Sequence, residues 1–269
     1  MSTRQPALSD RCHARLHPSQ RLRPEVVFQR QRQSKDRLNN SPRRTYDLLR
    51  SALLTADMSM PLVEEELTDA LSASRSTVRA VLQQLAREGL VTREPKNGTR
   101  ATGSLLLPIN ELKPVVQLAI EPYSQVETRT LECRSIGCPP MVRDRLRLPV
   151  GLTVLMIENL MVQDGLPLGL SVGYIAIGEE HTAAFEADGQ DVISILEDRL
   201  GIRIGAAHTT VGAVAADQQT AELLGIDVGA PLVFLEDLIA DRDGQPRALS
   251  QLRLRGDRVV FSATARRSA

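Results

Sequence analysis

The stretch from Val63 to Thr102 restricts the possible folds of this chain more than any other part of the sequence. Residues 66–71 are predicted to form a short helix, residues 72–73 a tight break, and residues 74–88 a second helix with Ser74 as its N-cap. Two helices joined by a short turn are typical of the helix-turn-helix, whose second helix presents its N-terminal residues to base edges in the DNA major groove.

The predicted second helix has one apolar face and one polar face. Gly89 ends this helix, and its apolar residues recur at the i, i+3, i+4, i+7 spacing of a buried stripe: Val78, Val81, Leu82 and Leu85. Its polar side begins with four candidate DNA contacts: Arg75, Ser76, Thr77 and Arg79. The two arginines share one face, where a guanidinium group can bind guanine or phosphate. A solvated helix face is the alternative interpretation.

The residues after this helix predict a β-hairpin. Residues 90–93 have strand character, Asn97-Gly98 is a strong turn dipeptide, and residues 99–102 return as a second strand. A hairpin in this place makes the motif a winged helix-turn-helix. The wing carries three basic residues: Arg93, Lys96 and Arg100.

These motifs resemble the DNA-binding domain of GntR-type bacterial transcription regulators. The resemblance rests on S-R-S-T-V-R, on L-x-x-L-x-x-E-G-L-V-x-R and on N-G-T. It implies that Gly98 is the wing-tip glycine that enters the minor groove, and that the operator contacts are Arg75, Ser76, Thr77 and Arg79. These regulators usually open the first of the two helices with serine-glutamate-arginine, whose arginine grips a phosphate. This chain has Val63, Glu64 and Glu65 there, and an acid at the arginine position repels DNA.

The distribution of charge, rather than the total charge, indicates nucleic-acid binding. The 269-residue chain has 33 basic and 33 acidic residues, but its first 44 residues contain eleven basic and three acidic ones. Residues 1–40 are predicted to form a basic, disordered arm, which is either a solvated tail or an auxiliary phosphate contact. Cys12, His13 and His17 form an incomplete ligand set, so we expect no metal site and no cofactor. Without a long apolar run, we expect a cytoplasmic protein with no membrane contact.

The chain is long enough for two domains. Ser41-Pro42 begins the first helix of a DNA-binding domain that is predicted to span residues 41–102. Residues 103–125 are predicted to be a linker with at most one short strand or helix, because they contain several prolines and little periodicity. Residues 126–264 are predicted to form the second domain.

The second domain is predicted to combine an antiparallel sheet with helices. Strands alternate with turns from about Val126, and Asp164-Gly165 and Asp243-Gly244 are hairpin turns. Predicted helices include residues 179–186, residues 192–200 and a helix that Asp217 caps and Gly225 ends. This pattern indicates an α+β fold, with the sheet covered on one side.

This half resembles the UTRA effector-binding domain of the HutC subfamily of GntR regulators. The resemblance rests on G-A-V-A-A-D-x-x-x-A-x-L-L-G-I-x-x-G-A-P-L from Gly212 to Leu232, on D-x-D-G-x-P and on R-G-D-R. It implies a chorismate-lyase-like antiparallel sheet with flanking helices and a ligand cleft. It also implies a homodimer that binds a palindromic operator and responds to a small-molecule effector.

In many relatives that bind phosphosugars, two arginines before the first hairpin, a glutamate after it and a tyrosine after the second hairpin mark the ligand site. The corresponding positions here are Asn159, Met161, Ser171 and Leu254. Asparagine and methionine cannot replace a bidentate arginine fork on phosphate. We therefore predict an effector that is not a sugar phosphate, bound by these four residues. The alternative is that they are ordinary sheet residues around a filled cleft.

Three functional hypotheses remain from the sequence. The first is a homodimeric repressor whose operator binding is modulated by an effector. The second is a constitutive repressor that has lost effector binding, which the altered cleft positions favour. The third is an enzyme with a chorismate-lyase-like domain. The sequence argues against it, because it contains no nucleophile–base pair, metal set or paired catalytic carboxylates.

Overall fold

The computed structural model describes residues 41–53, 61–94, 98–102, 104–117, 126–177 and 189–267. The chain divides into two compact units, one of residues 1–52 and 62–84 and one of residues 53–61 and 85–269. The predicted N-terminal arm, with Cys12, His13 and His17, lies outside the described residues, and so does the predicted helix at residues 179–186.

Three helices form the N-terminal part of the described chain: α1 (Pro42–Leu53), α2 (Glu64–Ala70) and α3 (Arg75–Arg87). The hydroxyl of Ser74 accepts from the backbone N–H of Thr77 at 3.1 Å, which confirms the predicted N-cap. The apolar stripe of α3 is fully buried as predicted: Val78, Val81, Leu82 and Leu85. Gly89 follows α3 with a φ of +74°, a left-handed conformation that glycine adopts without strain.

The predicted wing is present as β1 (Val91–Glu94) and β2 (Gly98–Ala101), which pair antiparallel. Gly98 has a φ of +79° at the start of β2. Residues 95–97, including Lys96, lie outside the described residues.

The C-terminal unit contains an antiparallel sheet of six strands in the order β4-β5-β6-β9-β8-β7. The strands are β4 (Val126–Gly137), β5 (Thr153–Gln163), β6 (Leu166–Ile175), β7 (Ile204–Ala215), β8 (Pro231–Asp241) and β9 (Pro246–Arg255). Asp164 and Gly165, with φ values of +51° and +79°, turn β5 into β6. The predicted α+β architecture and both hairpins are therefore confirmed.

The sheet is covered on both faces, so the prediction of one covered side was wrong. On one face α4 (Pro140–Leu146) packs on Val154 and Leu249, and α6 (Gln218–Leu224) packs on Leu170 and Leu232. On the other face lies α5, an α-helical turn (Val192–Ser194) that continues as a π-helical turn (Ile195–Arg199). The centre of the sheet is consequently buried on two sides, which accounts for the long apolar run in β5.

The segment predicted as a linker contains more structure than expected. It forms both a strand, β3 (Leu105–Pro108), and a 3-10 turn (Val115–Gln117). β3 pairs in parallel with the last strand, β10 (Val259–Ser262). Leu105, Leu107 and Val115 join an apolar cluster with Met161 and Leu254 of the sheet. This burial stabilises β3 and the 3-10 turn. The pairing of β3 could not be predicted because its partner is more than 150 residues away.

Gly173 on β6 allows α5 to approach the sheet closely. A Cβ atom at this position would overlap the Cγ2 methyl of Val192 and lie 3.2 Å from that of Ile157. Both neighbours are buried, so neither can move freely. Gly173 therefore fixes the distance between α5 and the sheet.

Gly173→Ala is expected to lower the free energy of unfolding by about 1–3 kcal/mol, because the added methyl group overpacks this contact. Chemical denaturation measures the change. Gly212→Ala on β7 is the matched control, since nothing lies within 4 Å of its new Cβ. Val192→Ala should rescue part of the loss in a double-mutant cycle. Equal effects at Gly173 and Gly212 would contradict the close-packing argument.

Candidate functional site

The first turn of α3 presents polar side chains to solvent. Arg75, Ser76 and Arg79 are exposed, and Thr77 is partly buried. The Ser74 hydroxyl lies 2.9 Å from that of Ser76 and 2.8 Å from that of Thr77. The N-cap therefore organises both hydroxyl groups that the sequence predicts to contact phosphate.

Two acidic residues of α2 pair with the two arginines of α3. Glu65 accepts from Arg75 at 3.0 Å, and Glu64 accepts from the Nε of Arg79 at 2.6 Å. The Glu64 carboxylate raises the pKa of Arg79 through this hydrogen bond. The sequence alone indicates only that acids at these positions repel DNA. The structure shows that they also hold both guanidinium groups.

The wing supplies the other predicted DNA contacts, and these follow α3 in the sequence. Gly98 is exposed at the beginning of β2, and Arg100 is partly buried within the same strand. Lys96 lies outside the described residues, so its role stays a prediction.

A cavity of about 100 Å³ lies in the C-terminal unit, between the α5 face of the sheet and the segment after the wing. The sheet contributes apolar side chains, among them Met161, Leu235, Ile239 and Leu252. The segment from Leu107 to Val115 contributes another wall, and Val192 and Phe261 complete the lining. A small apolar enclosure with a few polar groups is typical of a small-molecule site.

The polar groups of the cavity sit on the strands. Asp237 on β8 is 8% exposed, and its Oδ1 accepts a short hydrogen bond from the Thr209 hydroxyl on β7. Ser250 lies opposite Asp237 on β9, and Ser171 lies on β6. Burial raises the pKa of Asp237; the Thr209 hydroxyl opposes this shift and the Glu236 carboxylate adds to it.

Asp191 also lines the cavity, but its carboxylate is occupied by backbone groups. Its Oδ1 accepts from the N–H of Ser194 at 2.9 Å, capping α5, and its Oδ2 accepts from the N–H of Val115 at 2.6 Å. This side chain therefore ties α5 to the segment after the wing. Lys113 and Glu111 line the cavity as an exposed ion pair at 2.6 Å.

The four predicted effector contacts fall in or near this cavity. Met161 and Ser171 line it. Asn159 lies opposite Ser171 on the neighbouring strand, where it is 1% exposed and donates to the Gln190 carbonyl at 3.1 Å. Leu254 is fully buried in the apolar cluster beside Met161 and is not among the lining residues.

Sequence reasoning missed Asp237, Thr209 and Ser250 as cavity residues. A signal was available for Asp237, because it alternates with Leu235 and Ile239 on β8 and so occupies a core-facing position. A charged residue in such a position is rarely buried without a reason. The positions of α5 and β3 decide which face of each strand lines the cavity. The alternation of residues within the strands does not reveal those positions.

The described cavity lining contains no arginine. The described lining therefore offers no bidentate fork for phosphate, and the expectation that the effector is not a sugar phosphate stays a prediction. Within the described residues, no group of three His, Cys, Asp or Glu could hold a metal ion. Within the described residues, neither Cys133 nor Cys138 forms a disulfide bond. In the described part of the chain, no helix is long and apolar enough to span a membrane.

Two known families match this chain. Residues 43–100 match the family described as bacterial regulatory proteins, gntR family. Residues 123–260, more than half of the chain, match the UTRA domain. The first range contains α2, α3 and nearly all of α1 and the wing. The second contains the six-stranded sheet.

Several named proteins are similar over most of their length. HTH-type transcriptional regulator Rv0792c of Mycobacterium tuberculosis is 26% identical, over 76% of this chain and 77% of that protein. HTH-type transcriptional repressor NagR of Bacillus subtilis is 24% identical, over 79% of this chain and 88% of that protein. The crystal structure of PhnF from Mycobacterium smegmatis superposes with a TM-score of 0.58 at 22% identity, covering 83% of this chain and 100% of that chain. This superposition supports the fold.

The melting temperature of Asp237→Asn minus that of the wild type is expected to be larger at high pH than at low pH. Burial raises the pKa of Asp237 in the folded state above its unfolded value, so the wild type loses stability as pH rises through the folded pKa. The asparagine variant has no such loss. Melting temperatures of both proteins at about pH 4 and about pH 8 measure the difference. Asp227→Asn, at an exposed position, is the control. A constant difference between Asp237→Asn and wild type would contradict the desolvation argument.

Proposed function

Because the chain belongs to the gntR family of bacterial regulatory proteins and carries a UTRA domain, we propose that it is a homodimeric, effector-responsive transcriptional repressor. It acts on a palindromic operator in the cytoplasm. Residues 41–102 form its DNA-binding domain, residues 103–125 connect the domains, and residues 126–264 bind the effector and dimerise. Its assignment to the HutC subfamily stays a prediction.

The predicted class of protein is confirmed by the relatives. They are named transcriptional regulators or repressors, which points to a DNA-binding regulator rather than an enzyme. We propose repression rather than activation because PhnF and NagR are named repressors. In a homodimer, the two recognition helices would occupy half-sites about one helical turn apart on one face of the DNA.

One observation carries the proposal that an effector modulates DNA binding. The segment from Leu107 to Val115 forms a wall of the cavity, and it comes only a few residues after the wing strand β2. Asp191 and the β3–β10 pairing hold this segment against the sheet. A molecule in the cavity therefore contacts the chain that leads directly to the wing. A coupling free energy of about 1–3 kcal/mol would change operator affinity roughly 5- to 150-fold.

Selection of random DNA duplexes by gel shift with the full-length protein tests this function. The selection is then repeated with a bacterial metabolite extract. We expect an enriched palindrome that the extract releases. A palindrome that no extract releases would favour the constitutive repressor, and the absence of enrichment would contradict the winged-helix assignment.

Arg79→Ala is expected to weaken binding to the selected operator by about 1–3 kcal/mol and to random DNA by less, because a base-reading arginine discriminates among sequences. Arg87→Ala, at an exposed position in the last turn of α3, is the matched control. The variant Glu64→Gln/Arg79→Ala is needed as well, since loss of Arg79 alone leaves the Glu64 carboxylate near DNA. Equal losses on operator and random DNA would refute base reading.

Glu65→Gln is expected to tighten binding to operator and random DNA alike. The change removes a negative charge near the phosphates and releases Arg75 from its 3.0 Å ion pair. Affinity measured against salt concentration should show a steeper salt dependence than the wild type. Asp69→Asn on the same helix serves as the control. Unchanged or weaker binding by Glu65→Gln would contradict the view that Glu65 opposes DNA binding.

A further inference from the structure

We propose that the cavity of the C-terminal unit binds a small protonated amine. The N–H groups of the amine donate hydrogen bonds to the Asp237 carboxylate and to the hydroxyl oxygens of Ser171 and Ser250. The proposal rests on the proposed function, because it names the chemical class of the effector. It goes beyond the expectation that the effector is not a sugar phosphate, since it specifies a positive charge.

The cavity lining has hydrogen-bonding capacity that the protein does not use. Thr209 occupies Oδ1 of Asp237, and among the described residues no donor reaches Oδ2. The hydroxyl groups of Ser171 and Ser250 likewise have no hydrogen-bond partner within the described chain, although these residues are only 8% and 7% exposed. All three residues line the cavity, so these polar groups are available to a bound molecule.

These groups share one face of the sheet. Ser250 is directly opposite Asp237, and Ser171 is opposite Leu252, two residues further along the same strand as Ser250. Asn159 lies across from Ser171, and its buried Oδ1 has no donor within the described residues, while its amide nitrogen is committed to Gln190. The unused acceptors that line the cavity therefore lie on the neighbouring strands β6, β9 and β8, whereas Asn159 on β5 lies behind the lining. A ligand with several N–H donors matches this arrangement.

The charges in and around the cavity favour a cation over an anion. Of the described lining residues, Asp191, Asp237 and Glu111 are acidic, and Lys113 alone is basic. Lys113 pairs with Glu111, and the Asp191 carboxylate is held by two backbone N–H groups. Among the described residues, Asp237 is thus a buried carboxylate without a cationic partner. A buried charge is costly unless it is paired, so a bound ammonium group would be stabilised and a bound carboxylate repelled.

The apolar part of the lining limits the size of the hydrocarbon group that the amine can carry. Met161, Leu235 and Leu252 lie on the sheet near the polar patch, and Phe261 and Leu107 lie on the paired strands β10 and β3. Their apolar surfaces suit a short hydrocarbon group. The volume of about 100 Å³ excludes a large one.

Three probes of similar shape but different charge test the inference: isobutylamine, isobutanol and isobutyrate. Their dissociation constants for the full-length protein are measured by calorimetry or ligand-observed NMR near neutral pH, where the amine is protonated, and at equal ionic strength. We expect isobutylamine to bind at least about tenfold more tightly than isobutanol, and isobutyrate to bind most weakly.

Asp237→Asn should reduce the affinity for isobutylamine to the level for isobutanol, because the shape is kept and the charge is lost. Ser250→Ala should weaken amine binding to a smaller extent. Asp227→Asn removes the same charge from an exposed position and should leave the preference unchanged. Equal binding of amine and alcohol by the wild type, or an amine preference that survives in Asp237→Asn, would overturn the proposal.

Cation-exchange chromatography divides the metabolite extract into a retained, cationic fraction and an unretained fraction. Testing each fraction for operator release distinguishes a failure of the amine inference from a failure of the proposed function. Operator release by the retained, cationic fraction with wild-type protein but not with Asp237→Asn supports both. Release by the unretained fraction alone overturns the amine inference and keeps the effector-responsive regulator. An intact amine preference with no release by any fraction keeps the amine site and contradicts effector control.

Discussion

The arrangement of the C-terminal unit depends on the contact between α5 and the centre of the sheet. Gly173 leaves room for Val192, so that α5 lies directly on β6. This places Asp191 where its carboxylate can cap α5 and bind the N–H of Val115 at 2.6 Å. One buried side chain thereby connects α5 to the segment after the wing. The cavity lies where the sheet, α5 and this segment meet.

Electrostatics have different consequences in the two candidate sites. On α2 and α3 the ion pairs are largely exposed, with Arg75 and Glu65 side chains 69% and 74% accessible. Such pairs contribute little to stability and exchange readily, so arginine can leave glutamate for phosphate at low cost. In the cavity, Asp237 is buried and the medium screens its charge poorly. An acidic side chain can therefore exchange partners at the exposed surface of α2, whereas in the cavity its charge is only weakly screened.

Local patterns predicted most of the secondary structure. The Ser74 cap, the stripe from Val78 to Leu85 and the turn at Asp164-Gly165 each depend on residues close in sequence, and each is present. The burial of both sheet faces and the β3–β10 pair were not predicted. Strands buried on two sides lose the alternation that marks an exposed face, and a parallel pair between chain segments far apart leaves no local signal.

The sequence by itself determined the order and type of most elements, the basic start of the recognition helix and the absence of the arginine fork that grips phosphate. Only the tertiary structure decided that Glu64 and Glu65 pair with Arg79 and Arg75. It also decided that Asp237, Ser250 and Ser171 face one cavity under the segment after the wing. Element type depends on near-neighbour periodicity, whereas a binding site is made by side chains from distant strands, whose meeting depends on how the whole core packs.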